Sequence, residues 1–270
     1  MRMPLQKYPR PDITRFDSCD STNQRLLAAA ESGAPSGSVY VAREQRAGRG
    51  RRGRQWLTSP DHGLTFSVLW TFPADPLRLQ GLSLLVGLSL VRALTDPRLG
   101  SQRSDVRCGL KWPNDLLLQH QDGHYAKLGG ILVESTVRTS GASDKELAVV
   151  IGIGLNCLAD PALQSGIPGQ RIAAVSDLLT TPRPPEFILS VVLDQLFPML
   201  ATFAERGFAP FVEAWNSHDL WRHQQVVIVE EGTVRLAGEN IGVDATGTLH
   251  LATLHGLKQA VSGDVSLRSA

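Results

Sequence analysis

Cysteine is scarce and carries no pattern in this chain: Cys19, Cys108 and Cys157 are odd in number, far apart and outside any C-x-x-C or Cys/His spacing. That excludes a disulfide framework and a zinc centre, and it predicts a reducing, cytoplasmic setting. A secretory leader is also missing, because Arg2, Pro4, Lys7, Pro9 and Arg10 fall where a signal peptide needs an unbroken apolar segment. The most apolar stretch, Leu77 to Leu94, is interrupted by Arg78, Gln80, Ser83, Ser89 and Arg92, so it reads as a buried helix and not as a membrane span. Repeats and low-complexity linkers are absent. Net charge is nearly nil: 27 Lys+Arg stand against 26 Asp+Glu in 270 residues, a balance of +1. With 42% hydrophobic residues, the chain can bury the core of one large domain and a small appendage.

The near-neutral total hides one concentration of charge. Arg46, Arg49, Arg51, Arg52 and Arg54 occupy nine residues with Gly48, Gly50 and Gly53 among them, and without these five the balance is 22 against 26, or −4. Glycine lets backbone N–H groups approach a ligand closely, and guanidinium groups grip phosphate or carboxylate oxygens in pairs. The loop is therefore read as a site for a phosphorylated small molecule.

Periodicity supplies the frame. Asp20, Ser21 and Thr22 open a short helix that Gly33 ends, and Val39 to Ala42 is a strand feeding the arginine loop. Leu64 to Phe72 alternates with a period of two, as does Val106 to Trp112 before the turn residues Pro113, Asn114 and Asp115. Pro76 is read as the start of the long apolar helix, and Leu116 to Ala126 as a connection ending in a hairpin tip. Leu128 to Val137 and Leu147 to Cys157, separated by a polar stretch, predict a hairpin and hence a mixed or antiparallel sheet. A helix over Glu186 to Phe208 with Pro198 inside it, kinked there, continues into another over Phe211 to Leu220. After Trp221 five short β runs, at Val226, Val234, Ile241, Leu249 and Val265, predict a small β-barrel.

Four segments at the ends of these strands carry chemistry: the arginine loop, Lys111-Trp-Pro-Asn-Asp115, Lys127-Leu-Gly-Gly-Ile-Leu-Val-Glu134 and Gly152-Ile-Gly-Leu-Asn156. Singly, each has a plain reading. Lys111, Asp115 and Lys127 are the surface charges common at strand ends, Gly152 and Gly154 mark close strand packing, and Ser21 and Thr22 are helix caps. Together they closely resemble the biotin protein ligases, enzymes that make biotinyl-adenylate and attach biotin to a lysine of a carrier protein. The resemblance runs from Asp20-Ser-Thr-Asn to the C-terminal β segment.

The resemblance implies an α+β fold: a mixed β-sheet flanked by helices, of the class II aminoacyl-tRNA synthetase and biotin ligase kind, over residues 1–221, then an SH3-like β-barrel over 222–270. It implies Lys127 and Arg51 as catalytic residues, Lys127 between the biotin carboxylate and the α-phosphate of ATP and Arg51 holding biotin and the adenylate. It places Ser21, Thr22, Asn23, Gln45, Arg49, Gly50, Arg51, Lys127, Gly129, Gly130, Gly152 and Gly154 around biotin, with Trp112 near its apolar ring. Arg52, Arg54, Trp56, Lys111, Asn114, Asp115 and Asn156 fall on the ATP side, with Asp115 next to Mg²⁺, the implied cofactor. The implied partner is the biotin carboxyl carrier domain of a carboxylase; a homodimer is compatible with the resemblance, and no membrane partner is implied. Repressor members of the family carry a winged helix-turn-helix before the Ser-Thr-Asn segment, where about twenty residues stand here, so no nucleic acid is expected. Two rival families account for part of the pattern. A lipoate ligase shares the adenylation chemistry but not the intact Arg/Gly loop; an RG-type nucleic-acid module would explain the arginines and leave the lysine and asparagine motifs unexplained.

Overall fold

The computed structural model describes residues 8–57, 59–140, 144–166, 170–230, 233–261 and 266–269. In chain order it runs β1 (Asp12–Cys19), α1 (Thr22–Glu31), β2 (Ser38–Gln45), β3 (Gly63–Pro73), α2 (Leu82–Leu94), β4 (Val106–Lys111), β5 (Asp115–His120), β6 (Tyr125–Ser140) and β7 (Asp144–Asn156). There follow α3 (Pro161–Gly166), α4 (Val175–Leu178), α5 (Pro185–Arg206), α6 (Val212–His218), β8 (Gln225–Glu230), β9 (Thr233–Val243), β10 (Leu249–Thr253), β11 (Gly256–Ala260) and β12 (Ser266–Ser269).

β1 to β7 form one seven-stranded sheet in the order β1-β2-β3-β7-β6-β5-β4. Only β1 and β2 pair in parallel; the other neighbours are antiparallel, giving the expected mixed sheet. Alternation along β3 and β7 sends side chains to two different covers. Leu69, Ala148 and Val150 pack on one face with Leu26 and Ala30 of α1. Phe66, Val68, Val149 and Ile151 face the larger core that α2 and α5 complete. The apolar run Pro76–Leu94 and helix α5 are long and apolar enough to cross a bilayer, yet both lie mostly buried inside this fold.

Several boundaries differ from the sequence reading. The long apolar helix begins at Leu82 and not at Pro76: Pro76–Leu79 is a 3-10 turn, and Gly81, at φ 79°, breaks it from α2. Residues 115–120 are a paired strand and not part of a connection, because Leu116, Leu117 and Leu118 are all buried. The runs at Val234 and Ile241 belong to the single strand β9, and Val265 lies outside the described residues. Pro198 does sit inside α5, and the break before α6 comes at Gly207, φ 65°.

β8 to β12 make a separate antiparallel sheet in the order β11-β10-β9-β8-β12, consistent with an SH3-like unit. It is joined to the large sheet by buried polar contacts. Trp112 Nε1 donates to the Gly247 carbonyl at 3.1 Å, and Asn216 exchanges hydrogen bonds with the Val243 backbone at 3.0 and 2.8 Å. Trp112 is thus a strut between the sheets and does not line the cavity described below. Asp219 accepts from the Trp221 backbone N–H at 3.0 Å and from Asn240 Nδ2 at 2.8 Å.

Burial is the largest influence on Asp219 and pushes its carboxyl up to about 6. A carboxyl whose folded value exceeds its unfolded value contributes stability that is complete below the unfolded pKa and is lost as pH rises through the folded one. The stability advantage of the wild type over Asp219→Asn should therefore be largest near about pH 4 and shrink, by of order 3 kcal/mol, toward about pH 7. Denaturant unfolding at the two pH values checks this, and an equal difference at both would count against a titrating Asp219.

Candidate active site

At the N-terminal end of α1, the sheet face beneath it changes character. Register puts Thr65 opposite Gly154 and Ser67 opposite Gly152, and puts Gly130 and Leu132 opposite the same two glycines on the other side. These are the positions that carry Leu69 and Val150 one step along, so small residues replace large ones and leave a hollow. A Cβ at Gly152 would overlap the Asn23 carboxamide, and one at Gly154 would overlap the Trp56 indole. The hollow is a cavity of about 370 Å³, within the range of small-molecule sites.

Its walls are assembled from distant parts of the chain. The start of α1 supplies Ser21, Thr22 and Asn23, all nearly fully buried, and Ser21 makes no side-chain capping bond, so capping does not account for it. The end of β2 supplies Gln45, and the following segment supplies Arg49, Gly50, Arg51, Arg54 and Trp56. That segment is folded back on itself, with Trp56 N–H donating to the Gly48 carbonyl at 2.9 Å and Ala47 N–H to that of Asp20 at 2.9 Å. The β4–β5 turn brings Asn114 and Asp115. Strands β6 and β7 bring Lys127, Gly130, Gly152, Gly154 and Asn156.

Two ends can be told apart. At one, Gln45 Oε1 accepts from the Thr22 backbone N–H at 2.7 Å and from its hydroxyl at 3.1 Å, a neutral polar lining. At the other, Lys127 Nζ lies 2.8 Å from Asp115 Oδ1 and 5.8 Å from the Trp56 ring centroid, and Arg51 Nη1 donates to Asn114 Oδ1 at 3.0 Å. Asn114 in turn donates to the Ile131 carbonyl at 3.0 Å, which fixes its oxygen toward Arg51. Asn156 donates to the carbonyls of Lys127 and Ala173 at 3.3 and 3.1 Å, tying β7 to β6 and to the segment that precedes α4. Beyond the arginines, the Ser59 hydroxyl donates to Asp160, whose carboxyl is held below the usual carboxylate range first by that bond.

Besides Trp112, three of the expected site residues are not brought to the wall. Lys111 turns toward the other sheet, its Nζ 4.8 Å from the Trp221 ring centroid. Gly129 faces away, against Leu155, and Arg52 sits at φ 58° at the crest of the arginine turn, outside the lining. Sequence reasoning missed Thr65, Phe66, Ile131, Leu132 and Ile153, whose strand alternation was visible but whose face was not. It also missed Leu163, Gln170 and Ile172, which lie in a stretch with no periodic signal. The backbone there joins the site directly: Lys127 N–H donates to the Arg171 carbonyl at 2.8 Å and Ala173 N–H to that of Lys127 at 2.9 Å.

Comparison with known proteins agrees with this geometry. Residues 15–156 match the model of the biotin/lipoate A/B protein ligase family. Over 251 residues, 93% of this chain and 72% of the relative, the sequence is 33% identical to the bifunctional ligase/repressor BirA of Escherichia coli K12. It is also 33% identical over 245 residues, 86% of this chain and 90% of the relative, to the biotin–(acetyl-CoA-carboxylase) ligase of Paracoccus denitrificans. Among solved structures, the biotin protein ligase from Aquifex aeolicus in complex with biotin and ATP superposes with a TM-score of 0.74 at 29% identity, covering 96% of this chain and 99% of that one.

Proposed function

The chain belongs to the biotin/lipoate A/B protein ligase family and is an ATP-dependent biotin ligase, and from that premise we propose the full reaction: biotin and ATP give biotinyl-5'-AMP, and biotin then passes to one lysine of a biotin carboxyl carrier domain. The observation that carries this reading is the two-ended cavity, neutral and polar at Thr22 and Gln45, cationic at Lys127 and Arg51.

The chemistry follows from those ends. A cyclic urea needs donors and acceptors of matched polarity, which Ser21, Thr22, Asn23 and Gln45 offer, while Gly130, Gly152 and Gly154 let Lys127, Asn23 and Trp56 lie close against the sheet, around the space for the apolar ring and chain. The carboxylate then lies toward Lys127. Its oxygen attacks the α-phosphorus, a new O–P bond forms, and the bond to pyrophosphate breaks. Two anions must meet for this, and Lys127 with Arg49, Arg51 and Arg54 offsets their repulsion and the charge that grows at phosphorus. In the second half, the carrier lysine's amine attacks the acyl carbon and AMP leaves. Asp115 at 2.8 Å keeps Lys127 oriented as the nucleotide binds.

Mg²⁺ fits this donor set as an ion arriving on the triphosphate: Asp115 and the Asn114 carboxamide are oxygen donors in the wall, and no cluster of three or more potential ligands occurs among the described residues. When bound it would neutralise phosphate charge. We also place the boundary between catalytic and C-terminal domains at 221/222, supported by the change from helix α6 to strand β8. A cytoplasmic setting is supported by three buried free cysteines, two of whose thiols burial pushes up to about 12.

Incubation with biotin, Mg²⁺-ATP and a biotin carrier domain should add one biotin mass to the carrier. A shift with lipoate and none with biotin would instead support the lipoate reading. A repressor role is left out of the proposal because the densest positive segment lines the cavity with Arg49, Arg51 and Arg54. Gel-shift titration of the full chain at moderate salt should accordingly retain no DNA sequence selectively; selective retardation would add DNA binding to the function.

A further inference from the structure

Glu134 closes the Lys127–Glu134 segment and has no part in the reaction just described. Its Oε1 lies 3.2 Å from Arg49 Nη1, and its Oε2 accepts from Asn23 Nδ2 at 2.9 Å. A carboxylate facing a guanidinium can only accept hydrogen bonds, so Asn23 has to turn its NH₂ toward Glu134 and its Oδ1 the other way. Gly152 leaves the space for that carboxamide.

The orientation propagates through buried hydroxyls. Ser67, fully buried, has its Oγ 2.5 Å from Asn23 Oδ1 and 2.7 Å from Thr22 Oγ1. It owns one proton, and Asn23 Oδ1 can only accept, so the Ser67 proton goes there. The Thr22 proton is then drawn either to Ser67 Oγ or to Gln45 Oε1 at 3.1 Å, both inside the wall. What Thr22 shows the cavity is lone pairs.

We propose that Glu134 is a positioning residue for specificity: by fixing the proton direction along Asn23, Ser67 and Thr22 it makes this end of the cavity an acceptor for a ligand N–H. Resting on the proposed function, that ligand group is a ureido N–H of biotin. A glutamine at 134 relaxes the constraint, because it can donate to Asn23 Oδ1 and leaves only the longer contact of Asn23 Nδ2 with the Leu132 carbonyl, 3.4 Å, to hold the carboxamide. Asn23 then donates to Ser67 and Ser67 donates to Thr22, so the Thr22 proton loses Ser67 as an acceptor and is shared between Gln45 Oε1 and a ligand acceptor.

The test compares biotin with an analogue in which one ureido N–H is replaced by O, titrated calorimetrically into wild type and Glu134→Gln. Wild type should favour biotin over this cyclic carbamate by roughly tenfold or more, since the carbamate oxygen faces lone pairs. In Glu134→Gln the ratio should fall toward one, while kcat at saturating biotin and the KM for ATP stay within a factor of about three. An unchanged ratio in Glu134→Gln, or equal weakening of both ligands, overturns the proposal and leaves Glu134 as a structural partner of Arg49. Failure of the wild type to bind biotin overturns the functional reading instead, and the source assigned to the N–H with it.

Discussion

Replacing Lys127 by alanine should slow biotinyl-adenylate formation by roughly 10²–10³-fold while leaving the fold intact, the loss expected when one preorganised charge is removed from a developing anion. The side chain emerges from β6 over a glycine, Gly130, and touches Asp115 and the Trp56 face, so its removal opens space at the cavity and not in the core. The alanine variant has a second defect. Asp115 loses its partner at 2.8 Å and presents an uncompensated carboxylate to an incoming triphosphate. Lys127→Ala with Asp115→Asn, which removes the charge and keeps an oxygen donor for Mg²⁺, should therefore be less impaired in nucleotide binding than Lys127→Ala alone, a non-additivity typical of residues in direct contact. Single-turnover formation of adenylate and the KM for ATP measure the two effects separately. Adenylation at near wild-type rate in Lys127→Ala would remove it from the reacting end, and strict additivity would show that the ion pair has no bearing on ATP.

Much of this site was legible because short-range patterns dictate it. The alternation of β3 and the two runs that became β6 and β7 fix which residues share a face, and Gly152 and Gly154 fall on the face that α1 leaves uncovered. Motifs at strand ends were enough to gather Lys127, Asn114, Asp115, Arg49, Arg51 and Arg54. What the pattern hid was tertiary. β1 pairs in parallel with β2 and is largely exposed, so its apolar residues are too few to announce it. β5 was hidden by its continuous Leu-Leu-Leu run, which has no period. Lys111 lies in the same motif as Asn114 and Asp115, but its strand direction turns it toward Trp221, and no spacing rule says so. The wall formed by Leu163, Gln170 and Ile172 depends on backbone bonds to Lys127 from a segment more than forty residues later.

Gly154→Val is the substitution expected to disable substrate binding most without touching a charge. A Cβ there overlaps the Trp56 indole, while valine itself suits a central strand between Thr65 and Gly130, so the sheet should tolerate what the cavity cannot. The indole has to move, and its segment moves with it, because Trp56 is hydrogen-bonded to Gly48 across the arginine turn. Arg49, Arg51 and Arg54 then leave the wall together. Overpacking of this kind costs about 1–3 kcal/mol, so biotin affinity should fall roughly 10- to 100-fold and tryptic cleavage after these arginines should accelerate. The cause is checked by a second background: in Trp56→Ala the obstacle to the valine is gone, so Gly154→Val should cost much less there than in the wild type. An equal cost in both backgrounds would mean that the valine acts on biotin directly, as a plug in the cavity floor, and that the indole does not hold the arginine segment in place.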